Sequence, residues 1–471
     1  VFCFLEGFDI LILVMIMLKN TLTKQKEALK PIKTGHVGLY ACGPTVYWFA
    51  HIGNMRAFIF ADVLHRVLEY NDLDVTMIMN ITDVGHLVGD GNEGEDKMIV
   101  AMQREGKSAQ EIAQFYADHF FEDLDRLNIQ RADKYPKATE HIPEQIDMIK
   151  KLEENGFTYK TNDGIYFNTS KLPSYGQLSG QKAEEKLAGA RIDMGEKKLP
   201  TDFALWKFSP EGVQRQMEWD SPWGVGFPGW HIECSAMSTK YLGNLFDIHT
   251  GGVDHIPVHH ENEIAQTLGS ENTTQANTWM HSEFLTMDGG KMSKSLGNLY
   301  TIQDLADKGF DPLSYRYFVL GAHYSTKLNF TFDALLAAQN ALHRLQDLVR
   351  AWDEPAIGCA EFEQRFLDAV NDDLNTPQAL AIMWEMVDSD YPTSAKAESL
   401  LKFDQVLGFR LADFVGKKLE VPKEVQDLVN EREKAREEKN FEESDRLRNE
   451  IEKRGFTVED TSEGSKVVEK R

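Results

Sequence analysis

Residues 36–42 (HVGLYAC), a Gly43-Pro44 turn, the loop His51-Ile52-Gly53-Asn54, an amphipathic stretch over 56–70 and an apolar run at 74–80 (DVTMIMN) follow one another directly. The two runs have strand character. Between them Phe60, Val63, Leu64, Val67 and Leu68 fall on one face of a helix. Strand, glycine loop, helix and strand make a βαβ unit. That unit demands a parallel sheet, because only a crossover element can return the chain in the same direction. It also directs a ligand to the carboxyl edge of the strands. The expected fold class is α/β.

With 471 residues the chain is too long for one core. Helices are expected over 107–155 and short strand-like pieces such as 164–168 over the turn-rich 156–200. Residues 125–205 read as an insertion that splits the nucleotide fold. The parallel sheet is expected to resume with 203–208 and then 245–249 (LFDIH). From 330 the pattern is helical, with Leu335, Leu336, Leu342, Leu345, Leu348 and Val349 suited to a bundle. Residues 355–358 break it before helix returns near Glu361. A charged helical stretch of mixed sign covers 423–453, with Arg432, Lys434, Arg436, Lys439, Arg446 and Arg448 among its cations, and a small hairpin or tail closes the chain from 455.

A formal charge of −24 excludes a general polyanion binder, so any RNA contact must be confined to a local patch. Cys3, Cys42, Cys234 and Cys359 are widely spaced, as in a reduced, cytoplasmic protein; metal binding is the main alternative use. The apolar run 10–18 is too short to span a bilayer and follows Glu6 and Asp9 instead of basic residues. No membrane partner is expected. Met17 can be the true start, which makes residues 1–16 a non-native or disordered extension; a genuine edge strand is the plain alternative.

Two loops suit phosphate chemistry. In His51-Ile52-Gly53-Asn54, Gly53 allows close backbone approach, the following helix offers N–H groups, and His51 and Asn54 can donate to phosphate. Lys291-Met292-Ser293-Lys294-Ser295 places two cations and two hydroxyls after Asp288-Gly289-Gly290, a flexible hinge. Alone, the first string recurs by chance and the second could be a solvated basic loop. Asp254, after a predicted strand, is placed for ribose hydroxyls, or is a turn aspartate. The first string resembles the HIGH signature, with Asn at its last position, and the second the KMSKS signature, of class I aminoacyl-tRNA synthetases. The resemblance implies ATP binding, with Mg²⁺, and activation of a carboxylate.

His259 and Glu263 are four apart on a predicted helix, on one face, as two ligands of one ion would be. His260 could replace His259. Cys42 and Cys234 would add thiolates from elsewhere, and such a mixed set favours Zn²⁺. Against this, buried free thiols are common core residues.

Further strings carry a more specific resemblance. Residues 40–47 (YACGPTVY), 80–86 (NITDVGH), 228–238 (PGWHIECSAMS), 259–266 (HHENEIAQ), 279–298 (WMHSEFLTMDGGKMSKSLGN) and 372–380 (DDLNTPQAL) are similar to cysteinyl-tRNA synthetases, from Met17 onward. This resemblance implies a Rossmann-type class I catalytic domain in two halves, 17–124 and 206–329, around a connective insertion at 125–205. A helical bundle at 330–418 and a small anticodon-binding domain at 419–471 would follow. It implies one Zn²⁺ per chain on Cys42, Cys234, His259 and Glu263, with Trp230 and Thr82 at the cysteine substrate. His51, Gly53, Asn54, Asp254 and Lys294 would hold ATP, and His51, Asn54, Lys291 and Lys294 would serve catalysis. The implied partners are ATP, L-cysteine and tRNA(Cys), and a monomer is expected. The rivals are a paralogue that passes cysteine to an amino-sugar amine and a catalytically silent RNA-binding homologue.

Overall fold

The computed structural model describes residues 15–85, 97–180, 196–209, 216–287, 290, 299–461 and 464–469. They form two compact units: one of residues up to 301 with 319–330 and 366–380, the other of 302–318, 331–365 and 381–471.

The first unit is built on a four-stranded sheet in the order Gln275–Ser282, Leu245–Gly252, His36–Ala41, Asp74–Met79. All three pairings are parallel. The chain leaves strand 36–41 toward 74–79, whereas strand 245–252 leads to 275–282 on the other side. The order therefore reverses between 36–41 and 245–252, the position where open α/β sheets hold ligands beyond their carboxyl ends. Helix Ile52–Tyr70 makes the first crossover. It is buried nearly all round, and even Arg56 is only 2% exposed. The Arg56 guanidinium donates to the backbone oxygens of Glu283 (2.8 Å), Phe284 (2.6 Å) and Thr326 (2.5 Å), so one buried cation satisfies the turns beside the sheet.

Strand Phe203–Phe208 corrects an expectation. It does not extend the parallel sheet. It pairs antiparallel with Gly164–Phe167 and Gly226–Pro228 in a separate four-stranded sheet that begins at Thr158–Lys160. The reason is packing: Phe203, Leu205 and Trp206 join Ile149, Leu152, Ile165, Phe167 and Ile232 in one apolar cluster. An apolar run does not reveal which sheet it will join. Near the chain start, strands Met17–Asn20 and Gln25–Ala28 form a hairpin. Asn20, 1% exposed, ties it to strand 275–282 by accepting from Trp279 N (3.1 Å) and donating to Asn277 O (2.9 Å). Residues 1–14 lie outside the described residues, so the expected extension 1–16 falls almost wholly there.

The second unit is mainly helical. In helix Phe332–Val349, Leu335, Leu342, Leu345 and Val349 are buried, whereas Leu336 and Leu348 lie on the outer face. Helix Thr393–Leu407 ends at Gly408, whose φ of +69° is the left-handed cap conformation. Arg316, fully buried, donates through Nε to Leu407 O at 2.6 Å and fills the space beside Gly408. The charged stretch is two helices, Lys423–Glu437 and Phe441–Lys453, because Lys439 turns at a φ of +62°. The hairpin Phe456–Thr461 with Gly464–Glu469 follows as expected. Arg432 is 3% exposed and donates to both Asp460 oxygens (2.9 and 3.0 Å), so it is a structural cation, not a surface one. Among the described residues no helix is long and apolar enough to cross a membrane.

Gly408→Ala should destabilise the second unit by about 1–3 kcal/mol, through its left-handed backbone. An added Cβ would also come within 2.7 Å of Arg316 Nη2. Calorimetry of the full chain should show one transition moved to lower temperature. An unchanged thermogram would mean that the cap relaxes freely.

Candidate metal centre and nucleotide cleft

The sheet's switch point opens into a cavity of about 1320 Å³. Cys42, His51, Gly53, Asn54, Thr82, Trp230, Cys234, Asp254 and His259 all line it. These residues come from separate stretches of the chain, and the sheet edge brings them together. Glu263 lies beneath, with no exposure. Lys291 and Lys294 lie outside the described residues, although Gly290 and Leu299, on either side of them, line the same cavity.

Cys42 directly follows strand 36–41, and Gly43 turns the chain against the neighbouring strand's end. A Cβ at Gly43 would come within 1.7 Å of Asn80 O, so no other residue fits without rearrangement. Gly43 N donates to Asn80 Oδ1 (2.9 Å), and Asn80 Nδ2 donates to Thr82 Oγ1 (3.0 Å), fixing Thr82 at the cavity wall.

The loop at 51–54 is a reciprocal helix cap. His51 Nδ1 accepts from Asn54 N (3.3 Å), and Asn54 Oδ1 accepts from His51 N (3.1 Å). Two consequences follow. With Nδ1 as acceptor, the neutral His51 ring carries its proton on Nε2. Asn54 turns its carbonyl inward to the loop, so its NH₂ is the donor left for an anion. The sequence suggested two phosphate donors; the structure adds that each also builds the helix start. Asp254 sits in the short turn Val253–His255, and its carboxylate folds over Gly252, where a Cβ would meet Oδ1 at 2.3 Å.

Below the loop lies a cluster of thiols, imidazoles and one carboxylate. One ligand atom each from Cys42, Cys234, His259 and Glu263 lie within 4.8 Å of one another, and so do those of a second set, Cys42, His249, His260 and Glu263. Helix His259–Glu271 carries His259 and Glu263 one turn apart, with Glu263 Oε1 3.1 Å from His259 Nε2. Glu263 Oε2 is 3.0 Å from His249 Nε2 and accepts from Gln275 Nε2 at 3.1 Å. Cys42 Sγ is 3.1 Å from His260 Nε2, and His260 Nδ1 is 2.8 Å from His281 Nε2. His231 Nδ1 lies 2.9 Å from His259 Nδ1.

The electrostatics fit a cation. Burial opposes charge on both Glu263 and His259. Even so, His249 and His259 hold the Glu263 carboxyl well below its usual range, and Glu263 and Cys234 push His259 up to about 10. Burial pushes the Cys42 thiol up, and its hydrogen bond to Cys234 pulls the latter down. The buried carboxylate and the two thiols thus call for positive charge among them. Glu263 Oε1 is buried and accepts no well-formed hydrogen bond. An unused lone pair beside two sulfurs and an imidazole is a donor set for a borderline-soft divalent ion. Sequence reasoning named His260 as an alternative ligand and overlooked His249, Gln275 and His281. Their signal was only position: His249 and His281 each fall toward the carboxyl end of a strand at this same sheet edge.

Comparison with known proteins finds matches along most of the chain. Residues 28–340 match the family model for the class I tRNA synthetase (C) catalytic domain, 365–389 a DALR domain and 419–467 the cysteinyl-tRNA ligase anticodon binding domain. The chain is 50% identical to cysteine–tRNA ligase 1 of Burkholderia lata over 96% of each chain. It is 41% identical to the cysteine–tRNA ligase of Treponema denticola, covering 94% of this chain and 97% of the relative. The fold is similar to that of Mycobacterium tuberculosis methionyl-tRNA synthetase in complex with methionyl-adenylate, with a TM-score of 0.57, 14% identity, and coverage of 80% of this chain and 93% of that one. With the catalytic-domain model matching more than half of the chain and relatives matched over nearly their whole length, the chain belongs to the cysteinyl-tRNA synthetase family of class I aminoacyl-tRNA synthetases.

Proposed function

We propose that the chain is a cysteine–tRNA ligase. It condenses cysteine with ATP to cysteinyl-adenylate and pyrophosphate, then transfers the cysteinyl group to the 3′ end of tRNA(Cys). One observation carries this reading: two thiols, an imidazole and a buried carboxylate meet in the same cleft as a capped, glycine-bearing helix start. The helix start suits a nucleotide, and the cluster suits an ion that selects a thiol.

Cys42, Cys234, His259 and Glu263 hold one Zn²⁺ per chain. This set is preferred to the one with His249 and His260 because it offers two thiolates instead of one. His249, Gln275 and His260 then orient Glu263 and Cys42 from behind. The ion, when bound, favours a thiolate over an alcohol and lowers the thiol pKa. That separates cysteine from serine, which an apolar pocket does poorly. Trp230 lies against His259, with ring centroids 4.3 Å apart, and bounds the substrate side chain. Thr82 takes its amino group.

His51 Nε2–H, the Asn54 amide and the backbone at Gly53 receive the triphosphate, which Mg²⁺ accompanies. Asp254 takes the ribose hydroxyls. Lys291 and Lys294 supply positive charge to the departing pyrophosphate. No protein nucleophile is needed, because the terminal ribose hydroxyl attacks the acyl carbon itself and the enzyme aligns and stabilises charge. Residues 419–471 take the anticodon, and the chain works as a monomer in the cytoplasm, where its thiols stay reduced. Transfer to an amino-sugar amine would leave that C-terminal module without a task. A silent RNA-binding homologue would have no use for the metal cluster.

Elemental analysis of the purified chain should find about one zinc per chain. Cys234→Ser should lower zinc occupancy and raise the KM for cysteine; full cysteine activation by zinc-free protein would exclude the site. Lys294→Ala should slow cysteine-dependent pyrophosphate exchange by on the order of a hundredfold or more while changing cysteine binding little, as loss of a preorganised charge donor does. Unchanged exchange would remove Lys294 from the reaction.

A further inference from the structure

We propose that Trp48 and Phe49, backed by helix Ala109–Arg126, form a stacking wall for the unpaired 3′-terminal nucleotides of the tRNA. The inference rests on the charging reaction proposed above. The cavity, at about 1320 Å³, is larger than the ~300–1,000 Å³ that holds one small ligand. At the transfer step it must contain the adenylate and also a terminal nucleotide, so the excess volume has a chemical occupant.

The wall is aromatic on the cavity side. Trp48, Phe49, Tyr116 and Phe120 all line it. Trp48 stacks on Tyr116 with ring centroids 6.3 Å apart and planes 25° apart, and Phe49 meets Tyr116 edge-on at 4.9 Å. Behind them Phe115 packs on Phe49 at 6.0 Å. Cations sit over these rings: the Arg104 guanidinium is 3.9 Å from the Trp48 centroid, and Lys107 Nζ is 4.4 Å from that of Phe115. Aromatic faces interleaved with Arg and Lys are how proteins hold single-stranded nucleic acid. A carboxylate also faces the group. Glu105 accepts from Arg104 (2.5 Å) and from Tyr116 Oη (2.5 Å), so Arg104 is locally neutralised. Binding here is therefore by stacking more than by phosphate charge, and should depend little on salt.

The test compares Trp48→Ala and Trp48→Phe in the full chain with the unsubstituted protein. Pyrophosphate exchange reads the first reaction, charging reads the second, and competition by tRNA lacking its terminal adenosine reads the subsite. For Trp48→Ala we expect the KM values for ATP and cysteine in exchange to stay within about twofold. Charging kcat/KM should fall about tenfold or more, in the range of one lost base stack, and Trp48→Phe should recover most of it. The tRNA lacking its terminal adenosine should bind all three proteins alike. Equal charging by Trp48→Ala and the unsubstituted chain would overturn the wall alone. A raised KM for ATP in exchange would assign the wall to the nucleotide instead and overturn the proposal. An unsubstituted chain that exchanges pyrophosphate but charges no tRNA would overturn the charging reaction and the wall with it.

Discussion

Glu263 has no exposed surface, and the elements around it are arranged to hold its charge. A buried carboxylate costs several kcal/mol unless it is paired and hydrogen-bonded. Here His249 arrives from strand Leu245–Gly252, Gln275 from strand Gln275–Ser282, and His259 from the same helix one turn earlier. These strands are neighbours in the parallel sheet, so the carboxylate fixes helix 259–271 against the sheet edge. The same constraint sets the chemistry. A site that must gather positive charge around one carboxylate, with two thiols within 4.8 Å, is ready for a divalent ion.

The sheet edge does two tasks with one geometry. Strand 36–41 ends at Cys42, and the chain then turns at Gly43 toward the helix cap at His51 and Asn54. The Cys42 thiol and the helix cap at His51 are therefore close neighbours along the chain. That connection places the thiol and the capped helix start in one cleft. Because Gly43 has no Cβ, the turn can pass directly against Asn80 O.

Charge at the C-terminal end shows how position and environment divide the work. By sequence alone Arg432, Arg436 and Arg446 are equivalent cations on a helix. In the fold Arg432 and Arg436 both pair with Asp460, and Arg446 with Glu443. Arg432 is buried by the hairpin that follows the helices, so its cost is repaid by the bidentate carboxylate.

Local pattern was enough to read the βαβ unit, the helix beginning at His259, the break at 355–358 before helix returns, and the final hairpin. Each depends on neighbours within a few residues: alternation, a 3.6-residue period, a cap or a glycine. The i, i+4 pair of His259 and Glu263 was legible for the same reason, since helix geometry alone puts both on one face. The sequence could not say that strand 203–208 joins an antiparallel sheet, because an apolar strand pairs with whatever partner completes its core. Nor could it say that Leu336 and Leu348 face outward, that His249 and Gln275 hold Glu263, or that Trp48 stacks on Tyr116. Those are contacts between distant segments, decided by which faces the folded chain buries together. The residue types that carry the chemistry were thus written locally, and their convergence on one carboxylate at one sheet edge was decided by the tertiary fold, because only packing brings charges from separate strands close enough to compensate one another.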